Sequence, residues 1–334
     1  MTRLAIVGCG GMAEAHAGLA SRLRDRLQVT ATVDVDPVRA ERLRSMTGAA
    51  RACADVLAAL DAFDAALVAL PHHLHHPVGM ALLRAGKHVL MEKPLANTEE
   101  QCRELIEAAE RGGRTLMVGY CQRYHPLCVR LQTMLGDGAI GTPFHASLWT
   151  EQHTEVGPDS WVARADLLGG GQLFSHGCHY IDLMLAWLGD PVEGAHLGTN
   201  LGTPWMEREG TSDVVIRFAS GALAYHGATW GARGTRLGYA FHVHGDRGML
   251  ELDQGRGALL LHREGRVETV AEDAGPAKHL DRQMAHFLDC VERGERPLTD
   301  GRRSLQSLRV IWRLTEAERA GRFADLRGLG LSDA

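Results

Sequence analysis

The feature that most constrains the fold is a glycine-rich turn near the start of the chain. Residues 4–7 form a short apolar run. The turn that follows consists of Gly8, Cys9, Gly10, Gly11, Met12 and Ala13. In this G-x-G-x-x-A pattern Gly8 permits a tight turn, Gly10 lets a pyrophosphate approach the backbone, and Ala13 allows close packing of helix on strand. We therefore predict a strand–turn–helix unit whose helix start, with Gly11 and Met12, binds the phosphates of a dinucleotide.

Short apolar runs alternate with amphipathic stretches over the first 120 residues. The runs that read as strands are 4–7, 29–33, 65–70, 88–91 and 115–119, with helical patterns over 13–23, 37–46 and 77–85. Because parallel strands cannot be joined by a tight turn, this alternation implies right-handed crossovers through helices. The pattern predicts an α/β Rossmann domain, a doubly wound parallel sheet, over residues 1–121.

The pattern changes after residue 121. Strand-like runs at 142–151, 213–218, 223–229, 238–244, 248–252 and 258–262 are joined by short glycine-containing turns. Helical patterns cover residues 177–188, 281–293 and 302–320. We predict an α+β second domain over residues 122–334, with a large, mostly antiparallel open sheet that serves substrate binding and oligomerisation.

Composition excludes several classes of partner. The formal net charge is −5, and no run of lysine and arginine offers a surface for a phosphate backbone, so we expect no nucleic acid. No apolar run approaches the roughly 20 residues that a membrane span needs. The seven cysteines contain no C-x-x-C pair, which is typical of a reducing compartment. Since no signal peptide precedes the first strand, we expect a cytoplasmic protein without a membrane partner.

An acidic residue indicates which dinucleotide binds. Asp34 ends the second strand, where a carboxylate can accept hydrogen bonds from the adenosine ribose hydroxyls. The same charge repels a 2′-phosphate, so the sequence favours NAD over NADP. Arg39, a few residues further on, is the residue that could weaken this preference.

A second motif lies at the end of the strand over residues 88–91, where Glu92, Lys93 and Pro94 follow one another. Side chains at the carboxyl ends of parallel strands face the ligand crevice, so Lys93 is expected to contact both cofactor and substrate and to polarise an oxygen atom. Glu92 is a further cofactor candidate. The Lys93–Pro94 peptide bond is a candidate for the cis form.

Four histidines follow another strand, at His72, His73, His75 and His76. They lack the carboxylate or cysteine companions of a closed metal site, so we expect no metal. His72 and His75 are interpreted as cofactor contacts or as the start of a helix.

Together these motifs resemble the Gfo/Idh/MocA family, the group of glucose-fructose oxidoreductase and inositol dehydrogenase. The resemblance rests on the first turn, on AGKHVLMEKP at 85–94, and on GGG at 169–171 before HYID at 179–182. It continues through RYHP at 123–126 and GDRG at 245–248. It implies a Rossmann domain followed by an open-sheet domain, an NAD(P)-dependent alcohol–ketone reaction on sugars or cyclitols, and homodimers or homotetramers.

The resemblance also implies site residues. Lys93, His179 and Asp182 correspond to the catalytic positions, whereas Ser175 stands where the family commonly has aspartate. Ser175, His179 and Asp182 are spaced to share one face of a helix. His179 has the pKa range of a proton acceptor for an alcohol, and Asp182 either orients its imidazole or bonds to backbone. The expected substrate contacts are Lys93, Gln122, Arg123, Trp161, Arg164, Ser175, His176 and His179.

Three functions stay open at this point. The first is an NAD-dependent oxidoreductase that transfers a hydride between nicotinamide and a secondary alcohol or ketone of a sugar, cyclitol or related polyol. The second is an enzyme that oxidises transiently with bound NAD to cleave a glycoside or eliminate a group, which the replacement at Ser175 keeps open. The third is a non-catalytic NAD-binding regulator, against which the intact Lys93 and His179 argue.

Overall fold

The computed structural model of the protein describes residues 1–333, apart from the side chains of residues 19–21 and 333. A six-stranded parallel sheet forms the first part of the molecule. Its strands are β1 (Thr2–Val7), β2 (Leu27–Val33), β3 (Arg51–Cys53), β4 (Ala65–Val68), β5 (His88–Met91) and β6 (Leu116–Val118). Their spatial order is β3-β2-β1-β4-β5-β6, which is the order of a Rossmann sheet. The strands β1, β4, β5 and β6 are largely buried because helices cover both faces of such a sheet, whereas the short edge strand β3 is mostly exposed. The predicted fold class is confirmed.

The crossover helices begin and end where the sequence supplies capping residues. They are α1 (Gly11–Ala20), α2 (Pro37–Thr47), α3 (His75–Arg84) and α4 (Glu99–Gly112). The side chain of Asp36 accepts hydrogen bonds from the first N–H groups of α2, and Gly48 ends that helix at φ +73°. Thr98 caps α4 in the same way. The first helix ends at residue 20, three residues before its predicted end.

A nine-stranded sheet dominates the second part of the molecule. After α5 (Pro126–Gly136), the chain forms β7 (Pro143–Glu151), α6 (Ala165–Leu168), α7 (Cys178–Leu188), β8 (Pro191–Thr199), β9 (Thr211–Phe218), β10 (Leu223–Thr229), β11 (Tyr239–Gly245), β12 (Gly248–Asp253), β13 (Ala258–Arg263) and β14 (Arg266–Glu272). Then follow α8 (Leu280–Arg293), α9 (Gly301–Arg319) and β15 (Ala324–Asp325). The spatial order is β14-β13-β12-β11-β7-β10-β9-β8-β15. Neighbouring strands are antiparallel except for β7 and β10, as the sequence predicts in outline.

One face of this sheet is buried and the other is more exposed. Along β9, Val214, Ile216 and Phe218 are buried, whereas Val215 and Arg217 alternate with them on the exposed face. Helix α7 packs against β7 and β10. Period-two alternation therefore places the core of the second part between the sheet and this helix.

The chain divides into two compact units, and the division differs from the prediction. The first unit contains residues 1–121 and 280–305, and the second contains residues 122–279 and the chain from Gln306 onwards. Residues 280–305 were expected in the second domain. They belong to the first because Thr299 exchanges hydrogen bonds with Val118 at 2.8 and 2.7 Å, and because Arg26 pairs with Asp289 at 2.8 Å.

No helix among residues 1–333 is both long enough and apolar enough to cross a bilayer.

Candidate functional site

The glycine turn after β1 has the geometry that its sequence predicts. Gly8 has φ +88°, and a Cβ atom there would lie 2.3 Å from the carbonyl oxygen of Ala69, so only glycine fits. A Cβ atom at Gly10 or Gly11 would meet no atom within 4 Å. Ala13 is fully buried against the sheet. The backbone at the start of α1 is therefore accessible to a ligand, and its first N–H groups favour a negatively charged one.

Asp34 holds the same turn in place. Its Oδ2 accepts a hydrogen bond from the backbone N–H of Cys9 at 2.7 Å, and its Oδ1 accepts one from Asp36 at 2.9 Å. A carboxylate has about four acceptor positions, so Asp34 keeps the capacity to accept hydrogen bonds from a ribose. Arg39 lies in an ion pair with Asp36 at 3.3 Å.

The turn after β5 rests on a buried pair of ionisable groups. Oε1 of Glu92 lies 2.8 Å from Nε2 of His16, and the two side chains are 8% and 1% exposed. Oε2 of Glu92 accepts the backbone N–H of Lys93 at 3.3 Å. The Lys93–Pro94 peptide bond is cis, and Lys93 itself is half-buried. A Cβ atom at Gly119 would come within 3.2 Å of the Glu92 carboxylate, so glycine makes room for this support.

The four histidines near α3 have separate surroundings. His75 is fully buried, with its two ring nitrogens 2.7 Å from the carbonyl of Pro94 and 2.9 Å from that of Leu70. Burial lowers the pKa of His75 below its ordinary value, and the hydrogen bonds to the two carbonyls oppose that shift. His75 is the first residue of α3, as one of the two interpretations expected, and its buried ring supports the turn from within instead of facing a cofactor. His76 lies 2.7 Å from Glu104, and His72 is buried beside His75.

In the second unit, a π-helical turn over Leu173–Gly177 leads directly into α7. The sequence analysis assumed a regular α-helix, in which Ser175, His179 and Asp182 share one face. A π-helical turn has more residues than an α-helical turn, so Ser175 is rotated relative to that face. The ring of His176 contacts that of His179, with centroids 6.1 Å apart, and that of Tyr180, at 5.3 Å. Ser175 is buried. The structure thus brings His176 and His179 together.

Two residues that the sequence analysis missed belong to this cluster. The hydroxyl of Tyr239 donates a hydrogen bond to Gln152 and lies 3.4 Å from Nε2 of His176. Tyr239 opens β11, where period-two alternation puts it on the same face as the buried Phe241. The alternation of β11 could therefore have identified Tyr239 from the sequence. Gln152 directly follows β7, and no sequence pattern indicated its contact with Tyr239.

Asp182 lies in a buried ion pair. Its Oδ2 accepts a hydrogen bond from Nη1 of Arg123 at 3.3 Å, and Oδ1 lies 3.5 Å from the hydroxyl of Ser307. The side chains of Arg123 and Asp182 are only 5% and 2% exposed. This contact gives Arg123 a structural partner in the interior, whereas the sequence analysis placed it against substrate.

The other expected substrate contacts lie in different surroundings. Gln122 is buried, and its Oε1 accepts a hydrogen bond from Gln254 at 2.6 Å. Arg164 is half-exposed and pairs with Asp166 at 3.3 Å and with Glu207 at 3.6 Å. These two side chains are bonded to neighbouring residues of the protein.

Trp161 packs on an aromatic cluster. The cluster contains Leu168, Met206 and Trp230 at its centre, with Trp161, Val162 and Trp205 partly buried against it. The rings of Trp205 and Trp230 stack with an interplanar angle of 8°. The ring of His176 lies 6.4 Å from that of Trp230, centroid to centroid. Apolar rings and the polar groups of His176 and Tyr239 therefore adjoin each other, which is an arrangement suited to a sugar or polyol.

Comparisons with known proteins agree with the two-part architecture. The family described as an oxidoreductase family with an NAD-binding Rossmann fold matches residues 2–120. The GFO/IDH/MocA C-terminal domain matches residues 128–251. The chain therefore belongs to the Gfo/Idh/MocA family of oxidoreductases, as the motifs indicated.

Several relatives cover most of the chain. A 1,5-anhydro-D-fructose reductase from Ensifer adhaerens is 28% identical over 79% of this chain and 80% of its own length. An inositol 2-dehydrogenase from Saccharopolyspora erythraea is 29% identical, over 80% and 76% respectively. Among solved structures, aldose-aldose oxidoreductase from Caulobacter crescentus, complexed with glycerol, superimposes with a TM-score of 0.87 at 25% identity. That alignment covers 97% of this chain and 99% of the other.

The ion pair of Arg123 leads to a prediction about stability. Replacing Arg123 by Met leaves the charge of Asp182 buried without its cation, so we expect the free energy of unfolding to fall by about 3–5 kcal/mol. Arg164→Met is the matched control, because its exposed ion pairs contribute at most about 1 kcal/mol. Urea unfolding of both variants measures the difference. Equal, small losses of stability would contradict the structural role of Arg123.

Proposed function

We propose that this protein is an NAD-dependent dehydrogenase or reductase that acts on a secondary alcohol or ketone of a sugar, cyclitol or related polyol. The observation that carries the proposal is Lys93, which follows β5 on a turn supported by the buried Glu92–His16 pair. Membership of an oxidoreductase family and the sugar and inositol substrates named for its relatives support the same reaction class.

The residues of the first unit fit a dinucleotide. The accessible backbone at Gly10 and Gly11 suits a pyrophosphate, Met12 is next in the helix, and Asp34 has acceptor capacity for the adenosine ribose. When bound, NAD supplies a hydride acceptor at the nicotinamide ring. His72, Glu92 and Lys93 remain candidates for contacts with the rest of the cofactor. The negative charge of Asp34 favours NAD over NADP.

Two side chains would handle the charge and the proton of the reacting alcohol. The ammonium group of Lys93 stabilises negative charge that develops on the substrate oxygen. The imidazole of His179 accepts the hydroxyl proton during oxidation and returns it during reduction. Asp182 lies in α7 together with His179, and its carboxylate is held in place by the ion pair with Arg123.

Recognition of the remaining hydroxyl groups is assigned to the second unit. His176 and Tyr239 are polar groups beside the aromatic cluster that contains Trp161 and Trp230. Apolar rings cover a sugar face while donors and acceptors bind its hydroxyls. Ser175 lacks the charge that the family commonly has at this position, and this difference keeps the cleavage or elimination reaction open as the second candidate.

Assembly and location complete the proposal. The exposed face of the large sheet presents Val215 and Tyr225 side by side in register, with Leu223 nearby, and we assign to it the interface of a homodimer or homotetramer.

No disulfide forms among residues 1–333 although the chain has seven cysteines, which supports a reducing, cytoplasmic environment.

The catalytic roles are tested by single substitutions. We expect His179→Asn to lower kcat by about 10²–10⁴-fold because it removes the proton acceptor, and Lys93→Met to lower it by about 10²–10³-fold. The measurement is NADH absorbance over a panel of sugars and cyclitols. His262→Asn, a histidine paired with Glu251 on the sheet, is the matched control and should retain full turnover. Full turnover by both site variants on a confirmed substrate would refute the assignment.

The cofactor preference is tested at Asp34. Asp34→Asn retains an oxygen acceptor for the N–H of Cys9 but removes the charge that repels a 2′-phosphate. We expect the ratio of kcat/KM for NAD to that for NADP to fall about tenfold or more, equivalent to about 1.4 kcal/mol. Asp36→Asn, which removes a charge two residues away, controls for the change in net charge. An unchanged ratio in Asp34→Asn would mean that another group selects the cofactor.

A further inference from the structure

Two histidines and an aspartate that have no part in the proposed reaction converge in the second unit. Oδ2 of Asp273 lies 2.7 Å from Nε2 of His279 and 3.8 Å from Nε2 of His125. One ligand atom from each residue lies within 4.8 Å of the other two. The two histidine side chains are each 6% exposed and that of Asp273 is 15% exposed.

The backbone holds each of the three residues in place. His125 directly precedes α5, and its Nδ1 accepts the N–H of Leu127 at 3.3 Å. Asp273 directly follows β14, its own N–H bonds to the carbonyl of Gly257 at 2.8 Å, and its Oδ1 accepts the N–H of Gly275 at 3.2 Å. His279 directly precedes α8. Because Oδ1 is engaged by the backbone, it is Oδ2 that faces both imidazoles.

We propose that His125, Asp273 and His279 form a binding site for a divalent transition metal, with Zn²⁺ as the preferred ion. Two imidazoles and one carboxylate are a donor set that zinc takes, with the fourth position left to water or a small anion. Tetrahedral bonds of about 2.0–2.1 Å separate neighbouring donor atoms by roughly 3.3–3.4 Å. The two separations from Asp273, 2.7 and 3.8 Å, lie on either side of this value, and all three ligand atoms lie within 4.8 Å of one another, so side-chain rotations would bring them to it.

Metal binding would change the tautomer of His125. Nδ1 of His125 accepts a hydrogen bond, so in the neutral ring Nε2 carries the proton and points towards Asp273. Coordination through Nε2 moves that proton to Nδ1 and gives up the contact with Leu127, which is a single long hydrogen bond. A neutral ring therefore changes tautomer without releasing a proton, and the ion displaces a proton only from a ring that is protonated before binding.

The site is structural and does not depend on the proposed dehydrogenase reaction. An ion would tie the segment after β14 to the start of α5, which are far apart in the sequence. It would therefore stabilise the second unit against unfolding, since a ligand that binds only the folded state does so by mass action. The proposed metal ligands do not include the four histidines of residues 72–76, for which the sequence analysis expected no metal.

The test uses the full chain, stripped with a chelator and then titrated with ZnCl₂ by calorimetry. We expect one Zn²⁺ per chain at this site, a rise in the melting temperature, and the visible absorption of tetrahedral Co²⁺ when cobalt replaces zinc. Saturating zinc that produces none of these changes would overturn the proposal.

Two conservative variants separate the metal ligands from the fold. His125→Asn keeps a side-chain acceptor for the cap of α5 but removes the imidazole, and His279→Gln keeps a hydrogen-bond donor towards Asp273. Each variant should bind Zn²⁺ at least about tenfold more weakly, since even the loss of a residue that only orients a metal ligand lowers the affinity by this factor. The apo proteins should melt near the wild-type temperature.

The matched control replaces another histidine pair. His145 and His244 lie opposite each other on the large sheet, with ring centroids 5.6 Å apart. The double variant His145→Asn, His244→Asn should bind zinc like the wild type. Loss of binding in this control, or unchanged binding in both site variants, would assign the zinc to a different part of the surface and overturn the proposal. Turnover with NAD is a separate readout, so the two proposals can fail independently.

Discussion

The close approach of two strand ends is the constraint on which the first unit depends. Gly8, after β1, lies so near the carbonyl of Ala69, after β4, that any side chain at Gly8 would overlap it. β1 and β4 are the neighbours between which the strand order reverses, and ligands of open α/β sheets bind at that reversal. Asp34 fastens the same turn from the next strand through the N–H of Cys9. A single steric requirement thus positions the start of α1.

The parts of the fold that follow from local pattern could be predicted from the sequence. Apolar runs separated by helical stretches specify a parallel sheet because both of its faces are covered, and the glycine spacing specifies the first turn. Alternation likewise predicted most strands of the second sheet. Residues 280–305 were assigned to the wrong part because their partner Val118 is far away in the sequence. No local pattern reports such a contact.

The candidate site divides in the same way. Lys93 and His179 were predicted from motifs, whereas the contacts of Arg123 with Asp182 and of His176 with Tyr239 join segments that only the fold brings together. The π-helical turn at Leu173–Gly177 changed the helical face on which the prediction relied. His75 carries the chemistry of a ligand contact but is buried against carbonyl groups. Residue type alone could not distinguish support from contact.

The central claim is hydride transfer between a polyol carbon and NAD, and isotopic labelling tests it most directly. The protein is incubated with NAD and a panel of sugars and cyclitols that carry deuterium at their secondary carbinol carbons, and the products are followed by NMR. The account predicts one deuterium at C4 of the reduced nicotinamide for each ketone formed. Turnover of a substrate without any deuterium reaching the nicotinamide ring would contradict it.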